Sequence, residues 1–336
     1  MANQIKIARL ERKATSGDIT SQFYLSIVYE DGRDNVRNLS KSFEWCIKAA
    51  RAGDRQSQYR LSKKFESGSG LEKSDLISAV FWLEKAASSG YLQAKFELGY
   101  RLLFGVSGAQ KSLTKAKRWL ASAARDGHSE ANYYLGYLYL NGLGFAENTS
   151  AAFYFFSKAA SLNSAKAQCS LAFMFEHGIG CQANYLISIQ LYEQSANQGH
   201  AGAQFSLGCL YMNQGNSKQA IAWLEKAAKN SVSPAQAILA QLYMNGIEVK
   251  KDFVKALSWC FVVQMSDETD LATLQIANSC YESMAAFAPQ SDMDAAYTVA
   301  CNWLEQREEE QSYVQIDWVE QIKKGMAFYA NKKRWD

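Results

Sequence analysis

A leucine recurs along the chain at positions 25, 61, 98, 135, 171, 207 and 239, with spacings of 36, 37, 37, 36, 36 and 32 residues. Four residues after each stands a large apolar side chain: Tyr29, Phe65, Leu102, Tyr139, Phe175, Tyr211 and Tyr243. Three further on comes glycine in six of the seven, Gly32, Gly68, Gly105, Gly142, Gly178 and Gly246, while the sixth unit has Gln214 with Gly215 beside it. A second column holds Trp45, Trp82, Trp119, Phe155, Leu191, Trp223 and Trp259, and alanine follows the first six at a distance of five. So regular a period means that each unit is one supersecondary element, able to bury its apolar face only against its neighbours.

The spacings set the local structure. Leucine and the positions four before and four after it lie on one face of an α-helix, as Ala131, Leu135 and Tyr139 do in the fourth unit. Gly136 lets a neighbouring helix approach closely there. The glycine after the bulky residue ends this first helix, because glycine enters the left-handed cap without steric cost. Ser74, Ser217 and Asp252 stand where a second helix should begin and are suitable N-caps. That helix is expected to pack through its Trp and Ala-Ala positions. Helices of about 12 residues are marginal alone in water, so the units must stack.

The sixth unit's shorter spacing predicts a shortened turn between its helices. The seventh has Val263 and Gln264 in place of the alanine pair, which marks the end of the regular stack. Beyond it, Leu271–Phe287 reads as one helix. Pro289 breaks the pattern, and Ser291 or Asp292 is expected to cap a second helix reaching about Glu310. Trp303 echoes the second-helix column, so a degenerate eighth unit is expected. A last helix over about 313–329 and a basic end at 332–336 read as a cap of the stack or, alternatively, as a partner-binding or dimerising tail. The boundaries expected are an N-terminal cap at 1–15, seven repeats over 16–265, and the degenerate repeat with its helical cap over 266–336.

The 336 residues carry 36 Lys+Arg against 33 Asp+Glu, a net charge of +3. Such balance argues against a nucleic-acid binder, which normally shows a basic stripe. Nowhere do about 18 uncharged apolar residues run together, so no membrane insertion is expected. The first residues lack the apolar run and small-residue cleavage site of a secretory signal. Seven cysteines without regular spacing read as reduced thiols, and the expected compartment is the cytoplasm.

Residues 131–144, Ala-Asn-Tyr-Tyr-Leu-Gly-Tyr-Leu-Tyr-Leu-Asn-Gly-Leu-Gly, and 218–228, Lys-Gln-Ala-Ile-Ala-Trp-Leu-Glu-Lys-Ala-Ala, resemble the Sel-one-like repeat (SLR) family, a relative of the tetratricopeptide repeats. The resemblance covers roughly residues 16–265. The expected fold is accordingly all-α, a right-handed α/α solenoid of about seven SLR- and TPR-like helix-pair repeats with C-terminal capping helices. The shared positions are packing positions, so the resemblance is specific for fold rather than function. Members of the family serve as adaptors in multiprotein assemblies, signalling and host–microbe or inter-bacterial contacts.

Candidate chemistry is thin. His128 and His200 share one inter-repeat loop position, where other units have Asp54 or Tyr91, and read as loop punctuation rather than as bases. No paired His or Cys spacing suggests a metal site, and no cofactor is expected. Ser112-Leu-Thr-Lys115 matches the Ser-x-x-Lys pattern of penicillin-interacting enzymes, but its Ser-Asp-Asn and Lys-Thr-Gly companions are absent and Ser112 sits where an N-cap belongs. Some secreted SLR proteins with regular cysteine pairs are linked to β-lactams, and those pairs are missing. Gly68-Ser-Gly70, Gly142-Leu-Gly144 and Gly178-Ile-Gly180 follow helices rather than strands and read as turns. The Glu308–Glu310 run reads as a solvated helix end.

The face opposite the leucines carries the binding expectation. At 100° per residue, positions two before, two after and five after leucine point about 140–200° away from it, where a helix with one neighbouring layer should be polar. Instead the central units have Phe96, Tyr100, Leu103, Tyr133, Tyr137, Leu140 and Phe173 there, followed by Glu176 and Met212. First helices of such solenoids line the concave surface. These nine residues are therefore expected to form a groove for a partner polypeptide, a peptide or a helix. For the residues two before leucine, packing between adjacent first helices is the alternative. The expected function is a non-enzymatic protein-interaction scaffold. The alternatives are an immunity or chaperone protein clamping a single toxin or effector, or a hydrolytic or β-lactam-directed enzyme.

Overall fold

The computed structural model describes residues 2–32, 36–144, 146–247, 249–266 and 269–310. The expected last helix over about 313–329 and the basic end at 332–336 lie outside them, as do the side chains of Glu308–Glu310. Among the described residues the chain forms 17 α-helices and no strand. It is an all-α repeat structure of the solenoid class. After α1 (Ala2–Thr15) come seven helix pairs. These are α2 (Ile19–Asp31) with α3 (Leu39–Arg51), α4 (Arg55–Ser67) with α5 (Leu76–Ser88), α6 (Leu92–Phe104) with α7 (Leu113–Arg125), and α8 (Ser129–Leu140) with α9 (Thr149–Ser161). Then follow α10 (Ala165–His177) with α11 (Tyr185–Asn197), α12 (Ala201–Asn213) with α13 (Ser217–Lys229), and α14 (Ser233–Asn245) with α15 (Phe253–Met265). Two further helices, α16 (Leu271–Ala285) and α17 (Gln290–Glu310), follow the repeats. The helices group into two compact units, Met1–Ser164 with Ile179–Cys181, and Ala165–Gly178 with Gln182–Asp336.

Within each unit, a second helix packs on its own first helix and on the first helix of the next pair. The leucine column is the floor of that packing: all seven leucines are buried, the most exposed being Leu171 at 6%. Gly136 performs the expected close approach, since a Cβ there would lie 2.7 Å from Cδ1 of Phe156 on α9. Gly99 and Gly208 do the same against Leu120 and Leu224.

On the second helices the alanine pairs pack as expected, Ala49, Ala50, Ala86, Ala87, Ala227 and Ala228 all being buried, but the large side chain that goes deepest is one residue after the Trp column. The tryptophan column is only half-buried, whereas the residue after each is fully buried: Cys46, Leu83, Leu120, Phe156, Tyr192, Leu224 and Cys260. The indole instead lies at the rim of the pair, its ring suited to a half-wet position, and Lys48 and Lys226 sit over Trp45 and Trp223.

Two of the three expected caps are corrected by one residue. Asp75, not Ser74, accepts from the amides of Ile77 and Ser78, and Asn216, not Ser217, accepts from Gln219. α5 begins at Leu76 and α13 at Ser217, so the residue before each, and not the serine, holds the N-cap position. Asp252 caps α15 as expected. The sixth unit's turn is shortened to residues 214–216, against 105–112 in the third. The glycine-rich turns answer to packing: a Cβ on Gly70 would lie 2.4 Å from the Leu39 carbonyl oxygen, and one on Gly180 2.6 Å from that of Thr149.

At the C-terminal end, α16 packs on α14 and α15 as a first helix would, but α17 packs mainly on α15, with Trp303 5.9 Å from Trp259. Neither Ser291 nor Asp292 caps α17. The helix already begins at Gln290, and the Pro289 carbonyl accepts from the amides of Asp292 and Met293. Proline supplies a fixed φ and an acceptor at a helix start without wasting a donor. All seven cysteines are free thiols. No described helix is long and apolar enough to cross a membrane.

Candidate functional site

In the first compact unit, α6 is packed by α5, α7 and α8, and α8 by α6, α7 and α9. Only a narrow stripe of each first helix is left open. The helical wheel assumed one neighbouring layer, and this corrects three of the nine groove residues. Leu103 and Tyr133 are each 2% exposed, and Glu176 of the second unit is 7% exposed. Tyr133 is spent on the core, its ring 5.7 Å from Phe156 and 5.1 Å from Tyr134.

Phe96, Tyr100, Tyr137 and Leu140 are half-buried and keep part of their surface open. Phe96 stacks on the His128 imidazole at 4.3 Å, so the position two before leucine does pack between adjacent first helices. Tyr59 behaves alike, donating to Glu97 at 2.9 Å and lying 5.0 Å from Tyr91. Tyr100 lies 4.8 Å from Phe104 and 5.2 Å edge-on from Tyr134. The aromatic array is thus held by its own edge-to-face contacts, of the kind worth ~1 kcal/mol a pair.

Next to it lies a group of charges that the leucine-based reading passed over. Arg101, whose side chain is 4% exposed, donates through Nη2 to Glu66 at 2.7 Å and through Nε to Glu97 at 3.1 Å. Lys63 bonds Glu97 and also Glu66, the latter at 3.1 Å. Burial pushes the Glu66 carboxyl upward, but the hydrogen bonds and charges of Arg101 and Lys63 outweigh it and hold it below its ordinary value. Lys64, likewise buried, lies 3.2 Å from Glu30, which also pairs with Arg60. The sequence signal available was the Glu97–Arg101 pair at i, i+4 and Lys63–Glu66 at i, i+3. Buried charges survive only when paired, so these residues fix one another's positions.

In the second unit, Phe173 lies against His177 at 4.2 Å, and Glu176 accepts from the Tyr192 hydroxyl at 3.0 Å inside the core. Burial first, and then the Glu176 charge, push the Tyr192 hydroxyl well above its ordinary value. Met212 is 38% exposed.

His128 and His200 are N-caps. Their Nδ1 atoms accept from the amides of Ala131 at 3.3 Å and Ala203 at 3.1 Å, the role Asp18 and Asp54 play in earlier units. Ser112 occupies the N-cap of α7 without a side-chain capping bond, and Lys115 is exposed. Among the described residues no cluster of three His, Cys, Asp or Glu could hold a metal ion.

The Sel1 repeat model matches residues 19–54, 55–91, 92–128, 129–164, 165–200, 201–232 and 233–260. The chain belongs to the Sel1 repeat family. Sel1 repeats generally mediate protein–protein interaction. No curated protein matches the sequence. Among solved structures, the chain is similar to a protective antigen of uropathogenic Escherichia coli displaying an SLR fold, with 24% identity over 92% of this chain and 75% of that one and a TM-score of 0.62. It is also similar to a Sel1 repeat protein from Oxalobacter formigenes, with 26% identity over 62% of this chain and 85% of that one and a TM-score of 0.55. These likenesses concern the fold. In Sel1 terms, each of the first six matched segments opens on a first helix and runs through the turn after its second, while the seventh ends at residue 260, inside α15.

Proposed function

We propose that this Sel1 repeat protein is a non-enzymatic interaction scaffold that holds a partner polypeptide against the first helices of its first compact unit, along Tyr100, Tyr137 and Leu140. The observation that carries the reading is the half-buried aromatic array of α6 and α8, fixed by its neighbours yet partly open. Rigid tyrosine surface of this kind is what binding hot spots use, because little side-chain entropy is lost on docking. The neighbouring Lys63, Glu66, Glu97 and Arg101 already satisfy one another. They therefore supply a rigid polar rim rather than free charge.

The test is capture of the partner polypeptide from native cells by tagged wild-type protein and by Tyr100→Ala/Tyr137→Ala, with circular dichroism and melting on both. The proposal expects capture to fall at least ~10-fold, the loss of ~1.4 kcal/mol that hot-spot truncation readily exceeds, while the helical spectrum is retained. Undiminished capture by a folded double variant overturns it.

A further inference from the structure

The second helices of the first compact unit carry a surface of a different character. α7 holds Lys115, Lys117, Arg118 and Arg125 and no acidic residue, and α9 holds Lys158 and none. The chain as a whole is nearly neutral. On α5 Glu84 and Lys85 offset each other, so the local excess of positive charge lies on α7 and α9. Lys115 and Arg118 are exposed and make no ion pair among the described residues. On the helices either side, at the same register as Arg118, one residue before the Trp column, stand Phe81 on α5 at 49% exposure and Tyr154 on α9 at 52%. Ile77, one turn before Phe81, is 83% exposed. An exposed aromatic, an exposed guanidinium and a second exposed aromatic thus occupy one register across three successive second helices.

We propose that this surface is a second docking site, distinct from the first-helix face, that takes an acidic, amphipathic polypeptide segment. Charge complementarity sets the sign of the partner. Its carboxylates would meet Lys115, Arg118 and Lys158, Arg118 offering a fork for a bidentate pair. Its apolar residues would cover Ile77, Phe81 and Tyr154, whose exposure together is more than solvation requires. The aromatics also argue for a polypeptide over a nucleic acid. Lys85 lies over the Phe81 ring at 5.6 Å and Lys158 over the Tyr154 ring at 5.2 Å. Both rings are further fixed edge-on against Trp82 and Phe155. Base stacking needs open ring faces, and these carry the protein's own ammonium groups.

The test uses the full chain and a fluorescein-labelled Glu/Leu amphipathic peptide of about 18 residues, ~27 Å long as a helix. A Lys/Leu peptide and a single-stranded oligothymidylate serve as controls, read by fluorescence anisotropy at two salt concentrations. The expected result is binding of the acidic peptide alone, weakened by salt. Lys115→Glu/Arg118→Glu and, separately, Phe81→Ser/Tyr154→Ser should each reduce it at least ~10-fold with melting unchanged. Tyr137→Ala should leave it intact. Any one of the following overturns the proposal: no binding of the acidic peptide by the wild type, tighter binding of the oligonucleotide, or equal loss with Tyr137→Ala.

Discussion

His200 shows how one residue carries more than its position in a motif. Its Nδ1 accepts from the Ala203 amide, so the neutral ring caps α12. Burial, and secondarily the Lys166 charge, push its pKa from 6.5 down to about 4. The unfolded chain therefore binds a proton between pH 6.5 and 4 that the folded chain refuses. The stability held by the neutral cap is complete above about 6.5, falls as pH drops through that window, and falls no further below about 4. At pH 5 the loss should be on the order of 2 kcal/mol relative to pH 7. His200→Asn keeps an acceptor at the N-cap without a titrating group. Urea midpoints at pH 7 and 5 should therefore drop further for the wild type than for the variant, and equal drops would remove His200 as the cause. The sequence placed this residue correctly in a loop between repeats but missed the cap, since an imidazole is a rare N-cap and only the equivalence with Asp18 and Asp54 signalled it.

Between elements, the sequence was legible wherever one residue type held a column. The leucines and glycines gave the first helices and their ends to within a residue or two. The deepest second-helix position escaped because its occupants range over Cys, Leu, Phe and Tyr. Burial there selects for fit to the opposing first helix, not for one side chain. A tie between pairs escaped too: Gln58, Gln204 and Gln236, each three before leucine, donate to the carbonyls of Ala50, Ala196 and Ala228 at the end of the preceding second helix. The contact between α8 and α9 tests the packing account. Gly136→Ala would gain helix propensity of ~1 kcal/mol, but its Cβ would press on the Phe156 ring. Overpacking should win, with a net loss of ~1–2 kcal/mol. Phe156→Leu should relieve it in the double variant, so that the two losses are not additive. Additive losses in chemical denaturation would mean that the two residues do not meet.

For the whole molecule, the repeat fixes where surface can be free. A first helix flanked on three sides leaves a stripe, which is why Leu103 and Tyr133, read from the wheel as groove residues, are buried while Tyr100, Tyr137 and Leu140 keep partial exposure. The candidate site was thus legible in its residue types and not in its width, because a wheel records direction but not the number of neighbours. The most direct measurement replaces Tyr137 with the photo-cross-linker benzoylphenylalanine in the full chain and irradiates it together with its co-purifying polypeptide. A covalent adduct between position 137 and that polypeptide is the predicted result. A polypeptide that still co-purifies but forms no adduct there would contradict the account.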